Sequence, residues 1–98
     1  MIIKEILEQL KTSKNPVAKA IHKGEHFKVL ALALNKGMIL KEHKTSLPAK
    51  LVVLSGSVIY NEGEKHLTLN QFDQTDIPLG IIHSVECTSD ALCLLTQG

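Results

Sequence analysis

Apolar residues recur at spacings of three and four over the first eleven positions, where Ile2, Ile3, Ile6, Leu7 and Leu10 alternate with Lys4, Glu5, Glu8 and Gln9. That period predicts one short amphipathic helix over Ile2 to Lys11, acting as a lid or a packing helix. Glu8 and Lys11, three apart, add a weak supporting pair. Thr12-Ser13-Lys14-Asn15-Pro16 supplies polar turn formers and a proline that ends the helix. From Pro16 to Glu25 the pattern assigns no conformation, and the stretch reads only as a connector.

Beyond it the pattern becomes that of strands. Phe27 to Leu34 is apolar at nearly every position, so neither face is assigned to water and both are expected to be covered. In so small a chain the second cover is most simply a neighbouring subunit, which predicts a homodimer. Asn35-Lys36-Gly37 is a tight-turn signal leading into a strand at Met38 to His43. Thr45-Ser46-Leu47-Pro48 makes the next break, and Lys50 to Leu54 follows as a strand. Ser55-Gly56-Ser57 predicts a turn into Val58-Ile59-Tyr60, and Asn61-Glu62-Gly63-Glu64 a further one. Lys65 to Leu69 alternates with period two and places His66 toward water. Phe72 to Ile77, Ile82 to Cys87 and Ala91 to Leu95 complete the series. Short strands with turns every eight to twelve residues predict an all-β sandwich or closed barrel.

Ninety-eight residues fit one domain, and roughly two thirds of the unfolded surface can be buried at this size. The apolar share of 44% includes no Trp, one Tyr and two Phe, so the core must be aliphatic. Such a composition offers little stacking surface for nucleic acid, and a formal charge of +1 gives no electrostatic footprint for DNA, RNA or anionic lipid. The most basic stretch, Lys36 to Lys50, reads as a solvated strand face. No apolar run approaches the ~20 residues of a membrane span, and the charges at Lys4 and Glu5 interrupt any export signal. A cytoplasmic protein is expected, and in that reducing compartment Cys87 and Cys93 are free thiols, mostly buried.

Two stretches carry candidate chemistry. Gly37 is followed after five residues by His43, and Gly56 lies further on; Pro78-Leu79-Gly80 is a turn with His83 three residues beyond. These residues resemble the two signatures of the cupin family, small antiparallel jelly-roll barrels. The first signature is a glycine, five residues, His-x-His, three or four residues, a glutamate, six residues and a glycine. Here Thr45 stands at the second histidine and Ala49 at the glutamate. The second is a glycine, five residues, Pro-x-Gly, two residues, a histidine, three residues and an asparagine, with Phe72 at the opening glycine and Cys87 at the asparagine. Gly37, His43, Gly56, Pro78, Gly80 and His83 thus fill six of ten signature positions. Ser57 to Gln71, between the signatures, has the compact spacing of small bacterial cupins. The resemblance covers about Phe27 to Leu95 and implies an all-β jelly-roll (cupin) barrel over 27–98, preceded by a helix and connector over 1–26, within one domain.

In metal-binding cupins the two histidines and glutamate of the first signature join the histidine of the second around a divalent ion. The resemblance therefore implies His43 and His83 as metal ligands, with Zn, Ni, Fe or Mn as the candidate ions. A catalytic metal generally takes at least three protein ligands, and neither Thr45 nor Ala49 replaces the missing two. Water or His26 is one candidate to complete the set; His22 also precedes the first strand. Without a metal, two histidines can grip a polar ligand directly. Strict alternation puts Lys41 on the His43 face, and Cys87, four residues after His83, on the His83 face, where it adds a soft ligand or an apolar filler. Glu86 and Asp90 are expected in solvent.

Three functions stay open. The first is a binding or sensing module whose barrel mouth, lined by Lys41, His43, Thr45, His83 and Cys87, holds a small polar ligand. The second is a metal-dependent enzyme of the dioxygenase or isomerase type using His43 and His83. The third is a structural protein with a vestigial pocket. The short ligand set favours the first and leans away from an enzyme.

Overall fold

The computed structural model describes residues 1–98. It contains a helix α1 (Ile2–Leu10) and seven strands: β1 (Val17–Lys23), β2 (Lys28–Leu34), β3 (Ile39–His43), β4 (Ala49–Glu62), β5 (Lys65–Leu69), β6 (Gln74–Ile77) and β7 (His83–Gln97). Every strand pairing is antiparallel. No helix is long and apolar enough to cross a membrane.

The two long strands, β4 and β7, run side by side and build both halves of the barrel. The C-terminal half of β7 pairs with β2, and β2 with β1, while the N-terminal half of β4 pairs with β6. The N-terminal half of β7 pairs with β3, and the C-terminal half of β4 with β5. This is the expected all-β jelly roll with a short N-terminal helix.

Ser55-Gly56-Ser57, expected to turn the chain, instead lies inside one continuous strand. The β4–β7 register shifts between Val53 and Ser55, between Ser55 and Ser57, and between Ser57 and Val58. Gly56, at φ +78°, bends the strand from one half of the barrel into the other without reversing it. A Cβ at Gly56 would fall 2.8 Å from the Ala91 Cα and run into the Asp90 carbonyl, so the partner strand passes too close for any side chain. By the same continuity, the separate strands expected at Ile82 to Cys87 and Ala91 to Leu95 are one element, β7.

The connector holds the strand β1, paired with β2 from Val17↔Ala33 to Lys23↔Lys28. The sheet therefore begins at Val17, ahead of the barrel boundary expected at Phe27. The strand Lys28–Leu34 is covered on both faces, but by the chain itself. Leu32 and Leu34 enter the main core, while Ala31 and Ala33 pack with Ile6, Leu10 and Val17 in a second cluster. The helix α1 thus supplies, within the chain, the cover on this face attributed above to a neighbouring subunit. Phe27 itself is exposed. Glu8 accepts an ion pair from Lys11 at 3.0 Å, both side chains being solvated, so it contributes little.

The main core is aliphatic as expected, with Leu51, Val53, Val58 and Val85 at its centre and Tyr60, Cys87 and Cys93 among them. Both cysteines are free. Burial pushes the Cys93 thiol up to about 12, with Cys87 beside it adding to the effect. Burial also raises Cys87, whose Sγ donates to the Ser89 carbonyl at 3.1 Å. Both are therefore protonated, unreactive core thiols at neutral pH.

Candidate functional site

The Pro78-Leu79-Gly80 turn sets the entry into β7. Gly80 takes a left-handed φ of +74°, and its N–H donates to the Thr45 carbonyl at 3.0 Å, tying this turn to the loop after β3. His83 opens β7 facing inward, only 3% exposed, and pairs across the strands with His43. The two imidazoles lie with centroids 4.2 Å apart and planes tilted by 59°. His43 is exposed at the end of β3.

Both rings are fixed by the same device. His83 Nδ1 lies 3.1 Å from the Ile81 carbonyl and His43 Nδ1 2.8 Å from the Lys41 carbonyl. A carbonyl only accepts, so each Nδ1 carries a proton and points its ring's Nε2 the other way. Burial lowers the His83 pKa below the usual histidine value; the Ile81 carbonyl opposes this, the His43 ring reinforces it, and Glu62 opposes it more weakly. His83 is accordingly a neutral acceptor at neutral pH.

Tyr60 and Glu62 of β4 complete the surroundings, and nothing in their local sequence marks them. The fully buried Tyr60 lies 5.8 Å from His83 between ring centroids, and its hydroxyl donates to Glu62 Oε1 at 2.7 Å. Burial and the adjacent Glu62 carboxylate hold the phenol protonated well above its usual range. On the opposite face of the same strand Asn61 accepts from His66 Nδ1 at 2.6 Å and donates to Glu86 at 3.2 Å. His66 is exposed, as its period-two position required. Asp90 accepts from the Lys36 N–H at 2.7 Å, holding the β2–β3 turn.

A cavity of about 580 Å³ opens beside His83. Glu42 and Lys44 from the end of β3, Asn61, Ser84, Ile81 and Ile82 wall it together with His83. Of the residues expected to line the mouth, His83 alone does so; His43 reaches the site through its ring contact with His83.

The other expected residues lie apart from the cavity wall. A bulge between Leu40 and His43 breaks the strict alternation that put Lys41 beside His43. Leu40 pairs with the buried Val85 and the exposed His43 with the buried His83, so the two β3 positions that share this register are three apart, and the exposed Lys41 between them does not share it. The Thr45 hydroxyl is committed to its own loop, donating to the Leu47 carbonyl at 2.6 Å and accepting from the Leu47 N–H at 3.2 Å. Ala49 is buried in the main core. Cys87 does point inward, but as part of that core, bonded to backbone carbonyls. His22 packs its ring 5.4 Å from Phe27, and His26 lines a separate depression with Lys23 and Lys28.

The donor set does not fit a resident catalytic metal. His43 and His83 offer two Nε2 atoms, and no grouping of three His, Cys, Asp or Glu residues is placed to hold an ion. Two donors leave an ion weakly held and its geometry undetermined.

No family model matches the sequence, and no curated protein matches it. The fold matches solved structures closely. A cupin superfamily protein from Desulfitobacterium hafniense superposes with TM-score 0.80 at 13% identity, over 87% of this chain and 78% of that one. An RmlC-like cupin protein from Desulfovibrio desulfuricans gives 0.77 at 22% identity, over 85% and 81%. A putative mannose-6-phosphate isomerase from Ralstonia eutropha gives 0.79 at 14% identity, over 88% and 86%.

Proposed function

We propose, for a chain that carries the RmlC-like cupin fold, that the cavity beside His83 binds a small polar ligand and performs no chemistry at a resident metal. The observation that supports this reading best is the paired tautomer lock. His43 and His83 both hold a proton on Nδ1, against backbone carbonyls, and burial lowers the His83 pKa so that its Nε2 is unprotonated at neutral pH. A neutral imidazole such as His83 accepts hydrogen bonds at Nε2, so the ligand is one that donates them, through hydroxyl or N–H groups. Asn61 and Ser84 add neutral polar groups to the same wall, and Glu42 and Lys44 add one charge of each sign, which suits an uncharged or zwitterionic molecule.

The same lock is also how metal-bound histidines are oriented. A metal-dependent enzyme is therefore the second reading, and the short donor set weighs against it. Metal analysis of untagged native protein, beside His43→Ala and His83→Ala, separates the two. Less than a tenth of an equivalent, on the order of a trace contaminant, is expected in all three proteins; a stoichiometric ion lost in both variants would overturn the binding reading. A thermal-shift screen of sugars and hydroxylated organic acids then tests the binding itself, since a ligand of the folded state raises the melting temperature by mass action. A shift present in the native chain and absent in His83→Ala is the expected result.

A further inference from the structure

The segment Pro78–Ile82 is tied down along its backbone and bare along its side chains. Its Gly80 N–H is bonded to the Thr45 carbonyl, and its Ile81 carbonyl accepts from His83 Nδ1. Yet Leu79 is 57% exposed, Ile81 43% and Ile82 48%. Leu47 is also 43% exposed, and it sits on the short loop whose Thr45 carbonyl holds Gly80. Single exposed aliphatic residues need no explanation, but several gathered at one opening do. These cannot hide by folding back, because the backbone that carries them is bonded at both Gly80 and Ile81.

Two of them, Ile81 and Ile82, also wall the cavity whose other faces are polar. We infer that the ligand of this site is amphipathic, with hydroxyl groups at the His83 end and an aliphatic portion of several carbons lying along Ile81 and Ile82. The inference rests on the binding role proposed for the cavity, and it adds the ligand's chemical class. A cavity of about 580 Å³ has room for both parts, since small-molecule sites run from roughly 300 to 1,000 Å³. A membrane surface is a poorer match for the same lip. Glu42 faces the opening alongside Lys44, so the rim lacks the one-signed basic flank that draws a protein to anionic lipid.

The test is a homologous series of 1,2-diols, from propane-1,2-diol to octane-1,2-diol, titrated into the ¹⁵N-labelled full chain and followed by amide chemical shifts. Affinity is expected to rise about fourfold for each added methylene until the lip is covered, the equivalent of roughly 0.8 kcal/mol per buried CH₂. The double substitution Ile81→Ser with Ile82→Ser is expected to flatten that rise; both side chains are exposed, and retained amide dispersion verifies the fold. Should the double variant fail to fold, Ile82→Ser alone carries the same expectation at smaller size.

Diols that bind with an affinity independent of chain length would overturn the amphipathic ligand and leave the polar site standing. No binding by any diol would overturn both. A steep series untouched by the substitutions would remove Ile81 and Ile82 from the ligand's path. Co-sedimentation with phosphatidylserine vesicles, lost in the double variant, would assign the lip to a membrane surface and overturn the inference.

Discussion

His43 and His83 face each other across β3 and β7 with ring centroids 4.2 Å apart, each holding its Nδ1 proton against a backbone carbonyl two residues earlier in the chain. The pair is therefore oriented before any ligand arrives. Pre-set donors and acceptors of this kind reduce the ordering cost of binding.

The buried member of the pair makes stability depend on pH. Burial lowers the His83 pKa, so the unfolded chain binds a proton more readily than the folded one. Stability is full above the ordinary histidine pKa of about 6.5 and falls as pH drops below it toward the lowered folded value. Urea unfolding at pH 7.5 and pH 5 should show this loss in the native chain and a smaller one in His83→Gln. Equal losses in the two proteins would remove His83 as the source.

The helix α1 acts as a packing element. Ile6 is fully buried against Ala31, Ala33 and Val17, so Ile6→Ala should cost about 3 kcal/mol in denaturant unfolding. The exposed Ile2, on the same short helix, should tolerate Ala within roughly 0.5 kcal/mol. Similar costs at the two positions would mean that the helix is not seated as described.

Phe72 occupies a backbone conformation suited to glycine. Its φ is +70°, and its side chain is 74% exposed, so little packing offsets the strain. A left-handed non-glycine residue costs about 1–2 kcal/mol, and a glycine there loses roughly 0.5–1 kcal/mol through the freer unfolded chain. Phe72→Gly should therefore stabilise by about 0.5–1 kcal/mol, read as a higher urea midpoint at unchanged m. A lower midpoint would show that the ring makes contacts that matter.

What could be read in advance follows from which signals are local. Pro78, Gly80 and His83 define a turn through their own backbone preferences, and the structure places His83 at the head of β7. Phe72 stands at the signature's opening glycine position and adopts a positive φ of the kind glycine favours. β1 was illegible because Ala18 and Ala20 are too small to mark a face. A glycine between serines signals a turn and a bulge equally well, so the sequence of Ser55-Gly56-Ser57 does not distinguish a chain reversal from the bend inside β4. Lys41 departs from strict alternation for a related reason, since a one-residue bulge inverts every later side chain on its strand. Tyr60 and Glu62 meet His83 only through the pairing of β4 with β7, and no short motif records a contact between strands so far apart in sequence.

The central claim is that His83, held against the His43 ring, presents an unprotonated Nε2 ready to accept a hydrogen bond from a ligand. A long-range ¹H–¹⁵N spectrum of the imidazole nitrogens at pH 7.5 reads this directly, with and without a saturating hydroxylated ligand. Both rings should carry their proton on Nδ1, and the His83 Nε2 resonance should move when the ligand is added. A proton found on Nε2 of His83 in the free protein, or a ligand that saturates the site while both Nε2 resonances stay in place, would contradict the account.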